Sequence, residues 1–147
     1  MNNLFEIKVC GINDEVSMNT ALKCKVNYVG IVFYPDSPRN ISLNLSRKLL
    51  KSRNKITKIV ALTVNPNNDF LNEIKQIVNP DYIQLHGNEN PNRCMEIKKN
   101  LNIPIIKGVS VKNKLNLMKL TADFEDICDI LLLDAPSEDL PGGDGKK

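Results

Sequence analysis

The sequence lacks several residues and motifs from which common functional sites are built. Its 147 residues contain no tryptophan and a single histidine, His86, which excludes a metal site made of several histidines. The four cysteines form no C-x-x-C pair, which excludes a zinc ribbon and a thioredoxin motif; they are Cys10, Cys24, Cys94 and Cys128. Any chemistry must therefore use cysteine, aspartate, glutamate, lysine, arginine or that one imidazole.

Charge and hydropathy give no indication of a large partner. The 20 Lys and Arg residues against 17 Asp and Glu residues leave a formal net charge of +3, which gives no reason to expect binding to nucleic acid or to an anionic membrane. No apolar run approaches the roughly 18 residues of a spanning helix, and the N-terminus does not have the pattern of a signal peptide. We therefore predict a cytoplasmic protein with free thiols and without a nucleic-acid or membrane partner.

Short β-branched segments alternate with helical segments along the whole chain. The predicted strands are Phe5–Cys10, Tyr28–Phe33, Thr57–Val64, Tyr82–His86, Ile103–Gly108 and Cys128–Asp134. Helices are predicted after Asn13 and over Leu43–Lys51, Phe70–Val78, Asn92–Asn100 and Lys112–Leu120, with Ser42, Asp69 and Asn90 at three of the starts. This alternation is typical of a parallel α/β sheet and predicts one (βα)5β domain over residues 1–147.

Side-chain alternation separates two faces of the first predicted strand. Phe5, Ile7 and Val9 fall on one face, and Lys8 and Cys10 fall on the other. We expect the apolar face to pack against helices. Lys8 and Cys10 are then expected to face the interior of a barrel or the crevice of an open sheet.

The same alternation places Gln84 and His86 together on the fourth predicted strand. Asp134 ends the sixth strand, and the carboxyl ends of parallel strands form the active-site edge of α/β folds. Cys10, His86 and Asp134 are therefore expected to converge. Each also has a structural interpretation, namely packing for Cys10 and a turn or helix cap for the other two.

Seven short motifs follow one another in order along the chain. They are Lys8-Val9-Cys10-Gly11-Ile12-Asn13, Gly30-Ile31-Val32-Phe33 with Ser37-Pro38-Arg39, Val60–Asn65, Gln84-Leu85-His86-Gly87-Asn88-Glu89, Pro104-Ile105-Ile106-Lys107, Leu132-Leu133-Asp134 and Pro141-Gly142-Gly143-Asp144-Gly145-Lys146. Together they resemble the phosphoribosylanthranilate isomerase family, the TIM-type (β/α)8-barrel enzymes of tryptophan biosynthesis. The resemblance spans the whole chain.

Three residues and the length depart from the family pattern. Ala61 and Thr63 stand where the family often has Gly and Phe, and Asp144 replaces the Thr or Ser of the glycine loop. An eight-stranded barrel needs roughly 200 residues, whereas this sequence has 147. We expect the N-terminal part of a barrel without its last helix-strand units. Such a chain is expected to be inactive alone, and to self-associate through open sheet edges or to bind a C-terminal complement.

The resemblance implies an Amadori rearrangement of N-(5-phosphoribosyl)anthranilate to 1-(2-carboxyphenylamino)-1-deoxyribulose 5-phosphate, without a cofactor or metal. It implies that Cys10 is the base that removes a proton from C2 and that Asp134 is the acid that protonates the ring oxygen. A thiol is mostly protonated at neutral pH and a carboxyl mostly ionised. Lys8 is the expected source of thiolate stabilisation, and the apolar Ile130–Leu133 run is expected to favour a protonated Asp134.

The resemblance also implies the residues that bind the phosphosugar substrate. Arg39 is expected to bind the anthranilate carboxylate, because a guanidinium can hold a carboxylate through two hydrogen bonds. His86 is expected to line the substrate pocket beside Lys8. The phosphate site of such barrels lies after strands seven and eight, which this sequence does not supply.

Three alternatives remain open from the sequence. A flavodoxin-like doubly wound sheet, as a non-catalytic ligand-binding or signalling module, suits the length but lacks a phosphate-binding loop after the first strand. A hydrolase using Cys10 as the nucleophile with His86 and Asp134 lacks a nucleophile elbow. The chain could also be a non-catalytic remnant or one part of a larger assembly.

Overall fold

The chain folds as a regular alternation of strands and helices. The computed structural model describes residues 5–111 and 114–135. The strands are β1 (Lys8–Cys10), β2 (Tyr28–Phe33), β3 (Lys58–Thr63), β4 (Tyr82–Leu85), β5 (Ile105–Ser110) and β6 (Ile130–Asp134). The helices are α1 (Glu15–Lys23), α2 (Leu43–Leu49, followed by a 3₁₀ turn at Leu50–Ser52), α3 (Asn68–Ile77), α4 (Pro91–Leu101) and α5 (Lys114–Phe124). The predicted order of elements is confirmed.

The strands form one parallel sheet in which each strand pairs with its neighbour in sequence, in the order β1-β2-β3-β4-β5-β6. In a doubly wound sheet the order in which the strands are added reverses along the chain, so that β1 would lie inside the sheet with strands on both sides. The flavodoxin-like alternative is therefore wrong, and the strand order is that of a barrel wall.

Contacts across the concave face show that the sheet is curled into a half-barrel. Lys8 Nζ on β1 lies 2.7 Å from Gln84 Oε1 on β4. His86 directly follows β4, and its Nε2 lies 3.3 Å from Asp134 Oδ2 on β6. In a flat sheet, β1 and β4 would be roughly 14 Å apart, because neighbouring strands are spaced by about 4.8 Å. Curling brings these side chains within hydrogen-bond distance.

The hydrophobic core lies between the convex face of the sheet and the helices. Alternate strand residues are fully buried there, including Val29, Ile31, Ile59, Ile83, Leu85 and Ile105. They pack against helix residues that include Met18, Leu71, Ile74, Ile97 and Leu101. The residues between them along each strand therefore face the concave side.

Side-chain caps fix where four of the helices begin. Ser42 and Asn90 accept hydrogen bonds from the N–H groups of Leu45 and Arg93, as their N-cap positions predict. The other two starts differ from prediction. Asp14 caps α1, one residue beyond Asn13.

Asn67, and not Asp69, caps α3, because its extended backbone lets its side chain reach the N–H of Phe70. Asp69 instead lies in the first turn, where its negative charge interacts favourably with the positive end of the helix dipole. The predicted start of the fifth helix at Lys112 lies outside the described residues. None of the described helices has the length and apolar character needed to cross a membrane.

The convex side of β1 is not covered by a described helix. Phe5, Ile7 and Val9 are 82%, 58% and 37% exposed, so the prediction that they pack against helices is wrong. A helix in a right-handed βαβ unit packs over the two strands it connects. Only α1, which connects β1 to β2, is therefore placed to pack over β1.

Candidate active site

A cavity of about 170 Å³ opens on the concave side of the sheet, toward the carboxyl ends of the strands. Its polar lining consists of Lys8, Cys10, Tyr34, Ser37, Arg39, Gln84, His86 and Asp134. All five residues that the sequence nominated for the site are in this set. Their predicted convergence is therefore present in the structure, and their chemical roles remain predictions.

Cys10 ends β1 and lies opposite Gly30 on β2. A Cβ built on Gly30 would stand 2.8 Å from the Cys10 Sγ, which is closer than a side chain tolerates. Glycine at this position therefore makes room for the thiol inside the curled sheet.

Arg39 reaches the cavity from the exposed loop between β2 and α2. Its backbone N–H donates to Ser37 Oγ at 3.2 Å, which helps to fix the loop. The aliphatic part of its side chain lies over Gly11, where an added Cβ would overlap it. Because Gly11 directly follows Cys10, the loop brings the Arg39 side chain to the carboxyl end of β1, where both residues line the cavity.

A line of hydrogen-bonding side chains crosses the concave face from β1 to β6. Lys8 Nζ donates to Gln84 Oε1 at 2.7 Å, Gln84 Nε2 lies 3.1 Å from His86 Nδ1, and His86 Nε2 lies 3.3 Å from Asp134 Oδ2. The ammonium of Lys8 is thus bound to an amide oxygen. Gln84 was not nominated as a site residue, although its alternation with His86 already placed it on the concave face.

His86 sits in a pocket that disfavours its charged form. Burial lowers its pKa below the usual 6.5, Asp134 partly opposes this, and the charges of Lys107 and Lys8 lower it further. The imidazole is therefore neutral at pH 7. Gly108 on β5 packs against the ring, because a Cβ there would overlap Nδ1.

Asp134 is held through both carboxylate oxygens. His86 approaches Oδ2, and the N–H of Ala135 donates to Oδ1 at 3.0 Å. The apolar Ile130–Leu133 run was expected to favour a protonated Asp134, but alternation turns Leu133 to the opposite face, where it is 54% exposed. Leu132 is the member of the run that lines the cavity. The prediction is therefore wrong for Leu133, which does not contribute to the surroundings of the carboxyl.

A buried ion pair lies beneath the loop after β4 and was not predicted from the sequence. Lys107 on β5 donates to Glu89 Oε2 at 3.0 Å and to the carbonyl oxygens of Gly87 at 2.7 Å and Leu85 at 3.3 Å. Glu89 also accepts hydrogen bonds from the N–H groups of Gly87 and Asn65. A lysine inside an otherwise apolar strand was the available signal.

Within residues 5–111 and 114–135, no group of three or more His, Cys, Asp or Glu side chains is arranged to hold a metal ion. The glycine-rich segment Pro141–Lys146, with Asp144, lies outside the described residues.

Comparison with known proteins identifies the family. The family model described as N-(5'phosphoribosyl)anthranilate (PRA) isomerase matches residues 7–147. The chain belongs to the phosphoribosylanthranilate isomerase family. The resemblance carried by the sequence motifs is thereby confirmed.

Relatives within this family include two curated bacterial enzymes named N-(5'-phosphoribosyl)anthranilate isomerase. The protein from Rhizobium rhizogenes strain K84 is 42% identical over 143 residues, which is 95% of this chain and 64% of the relative. The protein from Agrobacterium fabrum strain C58 is 36% identical, with the same coverage. The chain thus spans 64% of the length of these relatives.

Solved structures of the family have the same fold. The phosphoribosylanthranilate isomerase of Thermotoga maritima matches with a TM-score of 0.84 and 26% identity, covering 95% of this chain and 66% of that structure. A phosphoribosylanthranilate isomerase in complex with reduced 1-(o-carboxyphenylamino)-1-deoxyribulose 5-phosphate matches with a TM-score of 0.81 and 27% identity, covering 91% of this chain and 66% of that structure. The TIM-type barrel class predicted from the sequence is confirmed, here as a half-barrel of six strands.

Proposed function

We propose that this chain carries the catalytic face of an isomerase of tryptophan biosynthesis. The reaction converts N-(5-phosphoribosyl)anthranilate to 1-(2-carboxyphenylamino)-1-deoxyribulose 5-phosphate. The observation that carries the proposal is that Cys10 and Asp134, on the first and last strands of the curled sheet, line one cavity with Arg39. An acid and a base at two sides of one small cavity suit a reaction that adds one proton and removes another.

The proposed steps use three side chains of the cavity. Arg39 binds the anthranilate carboxylate and orients the sugar. Asp134 gives a proton to the furanose oxygen as the C1–O bond breaks, which leaves a protonated Schiff base. The Cys10 thiolate then removes the proton from C2, and the resulting enolamine tautomerises to the ketone. The cycle closes when the proton gained by Cys10 returns through solvent to Asp134. Within the substrate C2 is oxidised as C1 is reduced, so no oxidant or reductant is consumed.

The ligand class is supported by the related enzyme that binds reduced 1-(o-carboxyphenylamino)-1-deoxyribulose 5-phosphate. We take a small phosphosugar as the substrate class here. Because the match leaves about a third of each relative uncovered, we propose that activity needs that further segment, which would hold the phosphate. The cytoplasmic location remains a prediction.

Isomerase assays on a complemented chain test this function. The 147-residue chain would be assayed alone and together with the segment of the R. rhizogenes relative that it does not cover, by loss of substrate fluorescence. We expect turnover only in the complemented sample. Cys10→Ala and Asp134→Asn should each lower kcat by about 10²- to 10⁴-fold, the usual contribution of a proton-transfer group.

Matched controls separate chemistry from folding. Cys24→Ala and Asp123→Asn remove the same functional groups from exposed positions, so both should keep full turnover. A complemented chain that shows no turnover would contradict the proposed isomerase function. Near-normal turnover in Asp134→Asn would remove that residue from the acid role while leaving the family assignment intact.

A further inference from the structure

Gln84 occupies the centre of the polar line that crosses the concave face. It is 1% exposed, and its amide touches a neighbour at each end. Lys8 Nζ lies 2.7 Å from Oε1, and His86 Nδ1 lies 3.1 Å from Nε2. Contacts at both ends hold this buried amide in one orientation. The chemistry of the two neighbours therefore shows which end is the oxygen and which is the nitrogen.

The chemistry of Lys8 fixes the hydrogen positions along this line. An ammonium has donors and no acceptor, so the amide atom that it contacts is the oxygen. The amide nitrogen therefore faces His86 and can only donate, which makes Nδ1 the acceptor. A neutral imidazole with an unprotonated Nδ1 carries its hydrogen on Nε2. That nitrogen is the one 3.3 Å from Asp134 Oδ2.

We propose that Gln84 is a positioning residue that holds His86 as the neutral Nε2–H tautomer, so that His86 donates a hydrogen bond to Asp134. The role rests on the proposed function, in which Asp134 is the acid. When Asp134 releases its proton, the donated hydrogen bond stabilises the carboxylate that forms. The opposite tautomer would present a lone pair to the carboxyl and would hold its proton away from the substrate.

The surroundings of His86 favour its neutral form. Burial lowers the pKa of the ring, the charge of Asp134 on β6 partly opposes this, and the positive charges of Lys107 on β5 and Lys8 on β1 lower the pKa further. Gly108 leaves room for the Nδ1 edge of the ring, where an added Cβ would overlap it. A neutral imidazole is therefore favoured, and Gln84 decides which nitrogen carries the hydrogen.

Because His86 is the only histidine in the chain, its ring resonances need no sequence-specific assignment, and Nδ1 and Nε2 are told apart by their couplings to the ring hydrogens. The full chain would be labelled with ¹⁵N-histidine, and both nitrogen resonances followed against pH, by solution NMR or by magic-angle spinning of sedimented protein. We expect a protonated Nε2 and an unprotonated Nδ1 above the titration midpoint. Gln84→Leu should mix the two tautomers. Gln84→Glu should raise the midpoint by about one pH unit or more, because a carboxylate would then face Nδ1.

Two further variants keep the test decisive. Gln76→Leu removes the chain's other glutamine from an exposed position on α3 and should leave both resonances unchanged. Lys8→Met leaves the hydrophobic core intact but frees the amide to turn, so it should also mix the tautomers. A wild-type chain with the hydrogen on Nδ1, or Gln84 and Lys8 variants with wild-type resonances, would overturn the proposal.

The NMR measurement tests the tautomer and the turnover assay tests the function, so each can fail without the other. The predicted tautomer in a complemented chain without isomerase activity would overturn the function and leave the inference standing. An active enzyme with the opposite tautomer would overturn the inference and leave the function standing. In the complemented enzyme, Gln84→Leu should lower kcat about tenfold or more with little change in KM, since the donated bond matters when charge develops on Asp134.

Discussion

The Lys107 ammonium and the Glu89 carboxylate form a buried ion pair at 3.0 Å beneath the loop that carries His86. The lysine also binds the carbonyl oxygens on both sides of His86, at Leu85 and Gly87. The pair therefore ties β5 to the end of β4 and fixes the backbone on both sides of His86.

Breaking this ion pair on one side should be costly. Lys107→Met leaves the buried Glu89 carboxylate without its cation and removes a donor from the carbonyl oxygens of Gly87 and Leu85. The free energy of unfolding should therefore fall by about 3–5 kcal/mol. Urea unfolding measures the change. Lys98→Met is the control, because Lys98 pairs with Asp129 at a more exposed position and should cost less than about 1 kcal/mol. Equal losses in the two variants would contradict the structural importance of the buried pair.

Arg39 should act mainly on substrate binding. In the proposed reaction the anthranilate carboxylate is present in both the ground state and the transition state. Arg39→Ala in the complemented enzyme should therefore raise KM about tenfold or more with a smaller change in kcat. Steady-state kinetics measure both constants. Arg47→Ala, from an exposed position on α2, should behave as wild type. An Arg39→Ala enzyme with unchanged KM and a large loss of kcat would contradict uniform binding.

The burial of His86 should make stability depend on pH. Its pKa in the folded chain is lowered from the usual 6.5, chiefly by burial, so below that pH the unfolded chain takes up a proton that the folded chain resists. The free energy of unfolding should therefore fall as the pH drops from about 6.5 through the folded-state value. Thermal unfolding of wild type and His86→Gln between pH 7.5 and pH 5 isolates this effect. Parallel curves for the two proteins would show that His86 does not contribute.

The exposed face of β1 should promote self-association. Among the described residues, β1 and β6 each have one sheet neighbour, and Phe5, Ile7 and Val9 are exposed beside the open edge of β1. We predict that the 147-residue chain forms oligomers at micromolar concentration. Light scattering after size exclusion should show a lower mass for Ile7→Lys than for Val16→Lys, which alters an equally apolar exposed position on α1. A monomeric wild-type chain would contradict the prediction.

The sequence by itself determined the order of elements and five of the side chains that line the cavity. Both depend on local rules: a βα repeat predicts a parallel sheet, and alternation along a strand separates Lys8 and Cys10 from Ile7 and Val9. Cap residues located the starts of α2 and α4 for the same reason, because a cap acts within one turn of its helix.

Only the tertiary structure decided how these residues meet. Lys8 and Gln84 are 76 positions apart, and their contact depends on the curl of the sheet, which no local pattern encodes. The burial of Lys107 against Glu89 and the exposure of Phe5 also depend on which elements pack above them. Alternation gives a residue its face of the sheet, but its partners, its burial and its protonation state depend on distant strands brought together by curvature.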